Sequence, residues 1–382
     1  MLRIQALSSS GVMPILTRAC LLASVLLCTR SSVTHAQVIA GTSVYVRQDT
    51  DRTTVIAPRL HVGAPVADTT RVDLVYTADV WTSASIDIRA SASKPVTEQR
   101  DEINATATQE WNDFSLSATY RYSHEYDYLS HGGFVTGSLA LAEKSTTLDF
   151  RLNFTFDDVG RAGDHNFNAS VRNLAARVGF TQLLDTHTFI QGTYELMSAH
   201  GFNSSPYRHV GLGSDNGLCT GVGMITCIPE ANPGERTRHA LAANLRRALG
   251  ESVAVGLGYR FYLDSWSLSS HTALAELSYS PSKTLLLALR YRFYMQSAAK
   301  HYKIRFDGSD TDLRYYTNDK ELSPLMSHRI ALDIEKEVEL DDRGHHLDIV
   351  LSLAPSIFLF SNYAPLKQIS AFEATLATVL KL

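Results

Sequence analysis

From about residue 38 onward the chain alternates apolar and polar side chains in long runs. Between Thr147 and Asp157, Leu148, Phe150, Leu152, Phe154 and Phe156 fall on one face, with Asp149, Arg151, Asn153 and Thr155 on the other. A strand sends successive side chains to opposite faces, whereas a helix would scatter those charges around its circumference. The same period runs through Phe114 to Ser123, Val253 to Asp264, Leu285 to Gln296 and Val72 to Val80. Each run is about ten residues, the length a tilted strand needs to cross a bilayer, and exceeds the ~5–6 residues usual in a soluble sheet. Apolar faces finish in Tyr120-x-Tyr122, Tyr259-x-Phe261 and Tyr291-x-Phe293. Amphipathic rings favour the headgroup level, so these read as girdle residues.

Strands are predicted at 38–48, 53–63, 70–81, 100–111, 113–124, 133–143, 146–157 and 171–184, then at 187–199, 238–248, 252–264, 270–280, 283–296, 327–339, 346–360 and 370–382. The fold class is therefore all-β: a transmembrane antiparallel up-and-down β-barrel of about 16 strands, an even number as bacterial single-chain barrels have. Tight connections such as Asn112-Asp113, Lys144-Ser145 and Gly250-Glu251 alternate with long ones at 82–99, 158–170, 200–237 and 297–326. Barrels carry short periplasmic turns and longer external loops, and this phase puts the N-terminus in the periplasm. A periplasmic sandwich also alternates its faces, but it needs neither this strand length nor the aromatic ends. The last run, Phe372-x-Ala374-x-Leu376-x-Thr378-x-Leu380-x-Leu382, resembles the closing strand read by barrel-assembly machinery, with Leu382 where a terminal aromatic is usual.

The first 36 residues change the picture of where the barrel goes. Arg3 and Arg18 precede an apolar run from Ala19 to Cys28, and small residues lead to Ala36; no acid occurs before Asp49. This is the order of a secretory signal peptide, with Met13 an alternative start, and the run is too short for a membrane anchor. Residues 1–36 are expected to be the signal peptide and 37–382 the outer-membrane barrel of a Gram-negative envelope. Losing Arg3, Arg18 and Arg30 moves the net charge from −4 to −7, which excludes a nucleic-acid partner needing a basic face. The expected partners are outer-membrane lipids and the barrel-assembly machinery. Only Cys219 and Cys227 remain after cleavage. In an oxidising compartment they read as a local disulfide, against a metal or redox pair whose short spacings they do not match.

No G-x-S-x-G elbow, H-E-x-x-H or P-loop occurs, so the chain is read as no enzyme, and no cofactor or metal is expected. Gly211-x-Gly213 and Gly217 imitate a nucleotide loop outside any strand–helix context. The segment holding Asp79, Ser83, Ser85, Asp87, Arg89, Glu98 and Arg100 leaves the third strand at the outer rim and is a candidate to fold into the mouth. Polar positions along the strands place Arg151, Arg177, Arg260, Arg290, Arg292 and Arg329 on the inner face, together with Asp73, Asp149, Glu195, Asp333 and Glu373. Charges of both signs suit a wet lumen, where they set selectivity or form salt-bridge ladders. His124-Glu125-Tyr126-Asp127-Tyr128 and His345-His346-x-Asp348 read as polar connections rather than cation sites, since neither has ligand spacing.

With these residues in view, the chain resembles the bacterial envelope family known as domain of unknown function 3570. The resemblance lies in Tyr45-Val46-x-x-Asp49, Thr54-Val55-Ile56-x-Pro58 and most strongly in the run from Tyr76 through Asp79, Ser83 and Ser85 to Asp87. It continues through Ser91-x-Ser93, Glu98-x-Arg100, Tyr120-x-Tyr122-Ser123-x-Glu125-x-Asp127-Tyr128 and Pro206-Tyr207-Arg208. It implies an outer-membrane barrel and an association with extracytoplasmic redox or metal-handling components, but no activity. The expected function is a porin-like channel or transporter passing a small solute or ion through the charged lumen, gated by the 82–99 and 200–237 loops. The alternatives are a barrel that docks a periplasmic or surface partner, redox partners included, and an enzyme with a site at the rim.

Overall fold

The computed structural model describes residues 37–83, 85, 96–307, 309–310, 313–342 and 344–382. The signal peptide reading lies outside them, as do Asp87 and Arg89. The strands are β1 (Ile39–Asp49), β2 (Thr53–Ala67), β3 (Thr70–Ser83), β4 (Val96–Glu110), β5 (Phe114–His124), β6 (Tyr128–Leu141), β7 (Thr146–Val159), β8 (Ala169–Leu183) and β9 (Thr188–Gly201). A small hairpin follows, β10 (His209–Leu212) and β11 (Thr226–Pro229). The chain then continues as β12 (Glu235–Ala248), β13 (Val253–Asp264), β14 (Ser269–Ser282), β15 (Leu285–Gln296), β16 (Leu325–Glu339), β17 (His346–Phe360) and β18 (Gln368–Lys381). All but β10 and β11 form one closed barrel in which each strand pairs with its neighbours in sequence and β1 seals against β18.

The period-two pattern explains the faces. Val44, Val72, Leu148, Phe150, Leu152, Phe154, Phe156, Leu241, Leu257, Leu289 and Leu376 are exposed on the outside of the barrel. So broad an apolar belt is untenable in water but is what hydrocarbon requires, and closure leaves no unpaired strand edge in it. Among the described residues no helix is long and apolar enough to cross a membrane; the strands do the crossing.

Several boundaries differ from the sequence expectation. β6 begins at Tyr128, not at residue 133, so the His124 to Tyr128 cluster shrinks to a short turn and strand ends. Gly132 and Gly133 interrupt the apolar face there, but they stay paired with Arg121 and Tyr120 of β5. β8, β12 and β18 likewise start earlier, because the backbone ladder continues into segments where the apolar period has already faded.

The two longest connections, 202–234 and 297–324, lie at the same end of the barrel and pack on each other. Val210 and Leu212 of β10 bury Phe306, while Trp266 and Leu268 of the β13–β14 turn pack with Ala299, Tyr302 and Leu322. Cys219 is disulfide-bonded to Cys227 of β11. Gly217 has φ +76°, and a Cβ there would lie 2.5 Å from the Ile304 carbonyl oxygen, so glycine lets the two loops touch. Asp319 caps the short 3-10 turn Lys320–Leu322 by accepting from the Glu321 amide. Together these loops form a lid tied to rim turns around the mouth. Lys320 reaches Asp51 in the β1–β2 turn at 3.0 Å. The Tyr207 hydroxyl donates to Asp127 in the β5–β6 turn and accepts from the Ala162 amide after β7. His301 meets Trp266 edge-on, and Tyr302 donates to the Asn362 carbonyl after β17. Sequence reasoning expected the 200–237 loop to gate the mouth; its partner there is the 297–324 loop, which carried no period to reveal its packing.

Candidate functional site

Register fixes which charges share the lumen. Arg290 of β15 faces Glu276 of β14, and Arg246 of β12 reaches the same carboxylate through Gly256 of β13. The result is a ladder: Arg246–Glu276 at 2.5 Å, Arg290–Glu276 at 3.0 Å and Arg290–Asp333 at 2.9 Å. Arg329 pairs with Glu373 at 3.0 Å, and on the opposite wall Arg100 pairs with Asp79 and Arg121 with Glu102 at 3.0 and 2.8 Å. Such pairs join strands across the wall and take charge away from the passage.

Arg151, Arg177, Arg238 and Arg292 have no carboxylate within ion-pair distance among the described residues, while Arg260 meets Glu195 loosely. Arg151 stacks on Phe134 at 4.0 Å and Arg292 lies 5.3 Å from the Tyr294 ring. Arg238 hydrogen-bonds Tyr262. Arg177, Arg260 and Arg292 line a cavity of about 460 Å³ in which Glu195, 3.5 Å from Arg260, is the facing carboxylate. Arg260 and Arg238 also line a cavity of about 330 Å³ directly under the lid, with Arg236, Tyr262, Trp266 and Tyr294, and on the lid side Arg208 with the carboxylates Glu230, Asp319 and Glu321. Arg238 further borders a cavity of about 490 Å³ against β4 to β9. A file of guanidinium groups thus leads from the lid into the lumen. Arg236 is held apart from this role: it makes two bonds to Asp264, at 2.8 and 2.6 Å, and stacks over Trp266 at 4.1 Å.

The lid closes over this space with a buried charge of its own. Glu230 accepts from the Ser205 amide at 2.9 Å and from the Thr317 hydroxyl, and lies 3.6 Å from Arg208, which itself reaches Asp319 at 2.7 Å. Burial pushes the Glu230 carboxyl above its ordinary range, and Arg208 and the two hydrogen bonds oppose that rise.

The candidate residues of the sequence separate into three sets. Arg260 and Arg292 come together at the cavities, and Arg151 lines the lumen apart from them. Arg290 belongs to the structural ladder. Asp79, Ser83, Ser85, Glu98 and Arg100 gather at the top of β3 and β4, where Ser83 bonds Thr53 at 2.8 Å and the Ser85 amide at 3.1 Å. Sequence reasoning missed Arg238 and the aromatic lining at Tyr262, Trp266 and Tyr294. Arg238 sits one strand residue beyond Thr237 in a run with weak alternation; the signal that could have found it is the basic run Glu235-Arg236-Thr237-Arg238 leading out of the long loop. Among the described residues no cluster of three or more His, Cys, Asp or Glu could hold a metal.

The fold and its faces define a membrane-spanning β-barrel with a capped mouth and a charged lumen. The family model for proteins of unknown function DUF3570 matches residues 87–176 and 172–352, and the chain belongs to that family. No curated protein matches the sequence. Among solved structures, a bacterial polysaccharide outer membrane secretin is similar at 7% identity and a TM-score of 0.50, over 91% of this chain and 98% of that one. OprD of Pseudomonas aeruginosa matches at 9% identity and TM-score 0.46, over 93% and 97% of the two chains. A variant of the ferric enterobactin receptor PfeA of Pseudomonas aeruginosa matches at 11% identity and TM-score 0.44, over 87% of this chain, which spans 54% of that receptor's length. These likenesses concern the barrel fold, which is that of outer-membrane proteins.

Proposed function

We propose that the protein is a non-catalytic outer-membrane channel, exported by its leader, that passes a small anionic solute through the lumen under control of the two-loop lid. The observation that carries this reading is the cavity where Arg177, Arg260 and Arg292 face the single carboxylate Glu195. Three guanidiniums against one carboxylate leave a net positive field where walls of low dielectric strengthen it. Purified full-length protein in a planar bilayer tests it: open steps with a reversal potential favouring anions are expected under a salt gradient. A cation preference would sink the anion assignment. Electrical silence of a folded, heat-modifiable barrel would favour a second reading, a barrel that docks a partner, for which the lid's ties to turns around the whole mouth are the supporting observation.

A further inference from the structure

The outward face carries a repeated pair that the lumen does not explain. Tyr120 bonds His131 Nδ1 at 2.8 Å, Tyr194 bonds His239 Nδ1 at 2.8 Å, Tyr259 bonds His271 Nδ1 at 2.6 Å and Tyr291 bonds His328 Nδ1 at 2.7 Å. In every case the tyrosine stands diagonally across one hairpin from a histidine that is the third to fifth residue of its strand, just inside the lid end. Diagonal neighbours on one sheet face are within reach of aromatic side chains. Arg172, the fourth residue of β8, takes the same place and is exposed, facing Phe156 as His131 does. The five groups sit on β6, β8, β12, β14 and β16, every second strand along one continuous arc of the barrel.

Chemistry gives the arc a direction. A phenol is the better donor and an imidazole nitrogen the better base, so each tyrosine hydroxyl donates to Nδ1 and keeps the proton on Nε2. No Nε2 of these four histidines has a protein partner among the described residues. Four N–H donors and a guanidinium therefore line the outer aromatic girdle, above an apolar belt suited to acyl chains, at the height where lipid headgroups lie. One carboxylate stands among them: Asp158 of β7 is exposed two residues beyond Phe156, diagonal to both His131 and Arg172. His200 faces Arg172 and pairs with Glu235 at 3.7 Å. His124 faces Asp101, which accepts from Tyr76 in the equivalent diagonal of β3 and β4. Tyr122 is the other titratable neighbour of His131.

We propose that this arc binds the phosphate monoesters of the outer-leaflet glycolipid, lipid A. A phosphate monoester offers three terminal oxygens and up to two charges, and so matches a row of N–H donors and a guanidinium better than a phosphodiester does. The full-length barrel in neutral detergent, probed with lipid A, with lipid A stripped of phosphate and with phosphatidylglycerol, tests this by lipid retained per barrel. Retention of lipid A about tenfold above the stripped form is expected. His131→Phe, His239→Phe, His271→Phe and His328→Phe together bring that excess down to about threefold, and Arg172→Gln lowers retention as well. Equal retention of the stripped lipid, or a preference undiminished in the variants, overturns the proposal. Phosphatidylglycerol held as strongly as lipid A overturns the monoester assignment. Should the fourfold variant fail to fold, the comparison with stripped lipid and Arg172→Gln decide alone.

Discussion

Arg290 and Arg292 stand two residues apart on β15, point into the same lumen and have opposite surroundings. Arg290 is clamped between Glu276 and Asp333. Arg292 faces Leu274 of β14 and Arg329 of β16, whose charge is already taken by Glu373. The side chain is the same and the neighbours decide its work. A guanidinium between two carboxylates is a strut between strands, while one between leucine and a satisfied arginine projects uncompensated field into the passage. Residue type and facing, which the sequence supplies, do not separate these roles; cross-strand register does.

The sharpest way to break the comparison is to remove the strut. Arg290→Ala leaves the buried Asp333 without its cation and Glu276 with Arg246 alone, and a loss of about 2 kcal/mol is expected in denaturant unfolding of the micelle-bound barrel, after discounting for the partial exposure of Arg290. Ion preference should change little. The converse substitution, Arg292→Glu, is expected to shift the anion-to-cation permeability ratio about fivefold, read from reversal potentials, with stability within about 0.5 kcal/mol. If the two substitutions gave the same pattern, the division between strut and field would be wrong.

Glu230 extends the comparison to the lid, where a carboxylate is buried beside one arginine shared with Asp319. Its folded pKa is raised above the ordinary 4.5, chiefly by burial. The folded lid then holds a proton that the open lid releases, so lid stability is greatest at low pH and is lost as pH rises from 4.5 through the raised value. The closed fraction of single-channel records should grow on acidification over that window, and Glu230→Gln should flatten the dependence. The smallest effect is expected at the lid's edge. Tyr207→Phe removes the bonds to Asp127 and the Ala162 amide at a cost of about 1 kcal/mol, seen as faster protease nicking of residues 202–234 without a change in ion preference.

Much of the barrel was legible because strand faces write themselves into the chain with period two: Leu148 to Phe156 outward and Asp149 to Asp157 inward needed no tertiary knowledge. The lid was illegible for the opposite reason. Val210, Phe306, Tyr302 and Trp266 meet across separations of up to about a hundred residues, and loop packing has no period; isolated aromatics such as Tyr302 and Phe306 in a polar loop were the available hint. The candidate site fell between. The inward facing of Arg260, Arg290 and Arg292 was readable, but whether each met a carboxylate was not, since a shift of two residues in register keeps the faces and exchanges the partners. The girdle tyrosines were visible too, yet their histidines lie beyond an intervening turn or loop, and only pairing brings them within 2.8 Å.

The seam between β1 and β18 sets a condition on how such a molecule comes into being. Val38 and Leu382 exchange two backbone bonds, 3.1 and 3.0 Å long, and the register continues to Asp49 opposite Ala371. The wall is therefore sealed by β18, made after every other strand of the barrel, and until it arrives the growing sheet has two raw edges rather than none. Long-range closure of this kind is slow, and open edges recruit foreign strands. Assembly is thus a race between one correct zipper and many wrong ones, and a chain cut short by a single strand is expected to lose the race altogether.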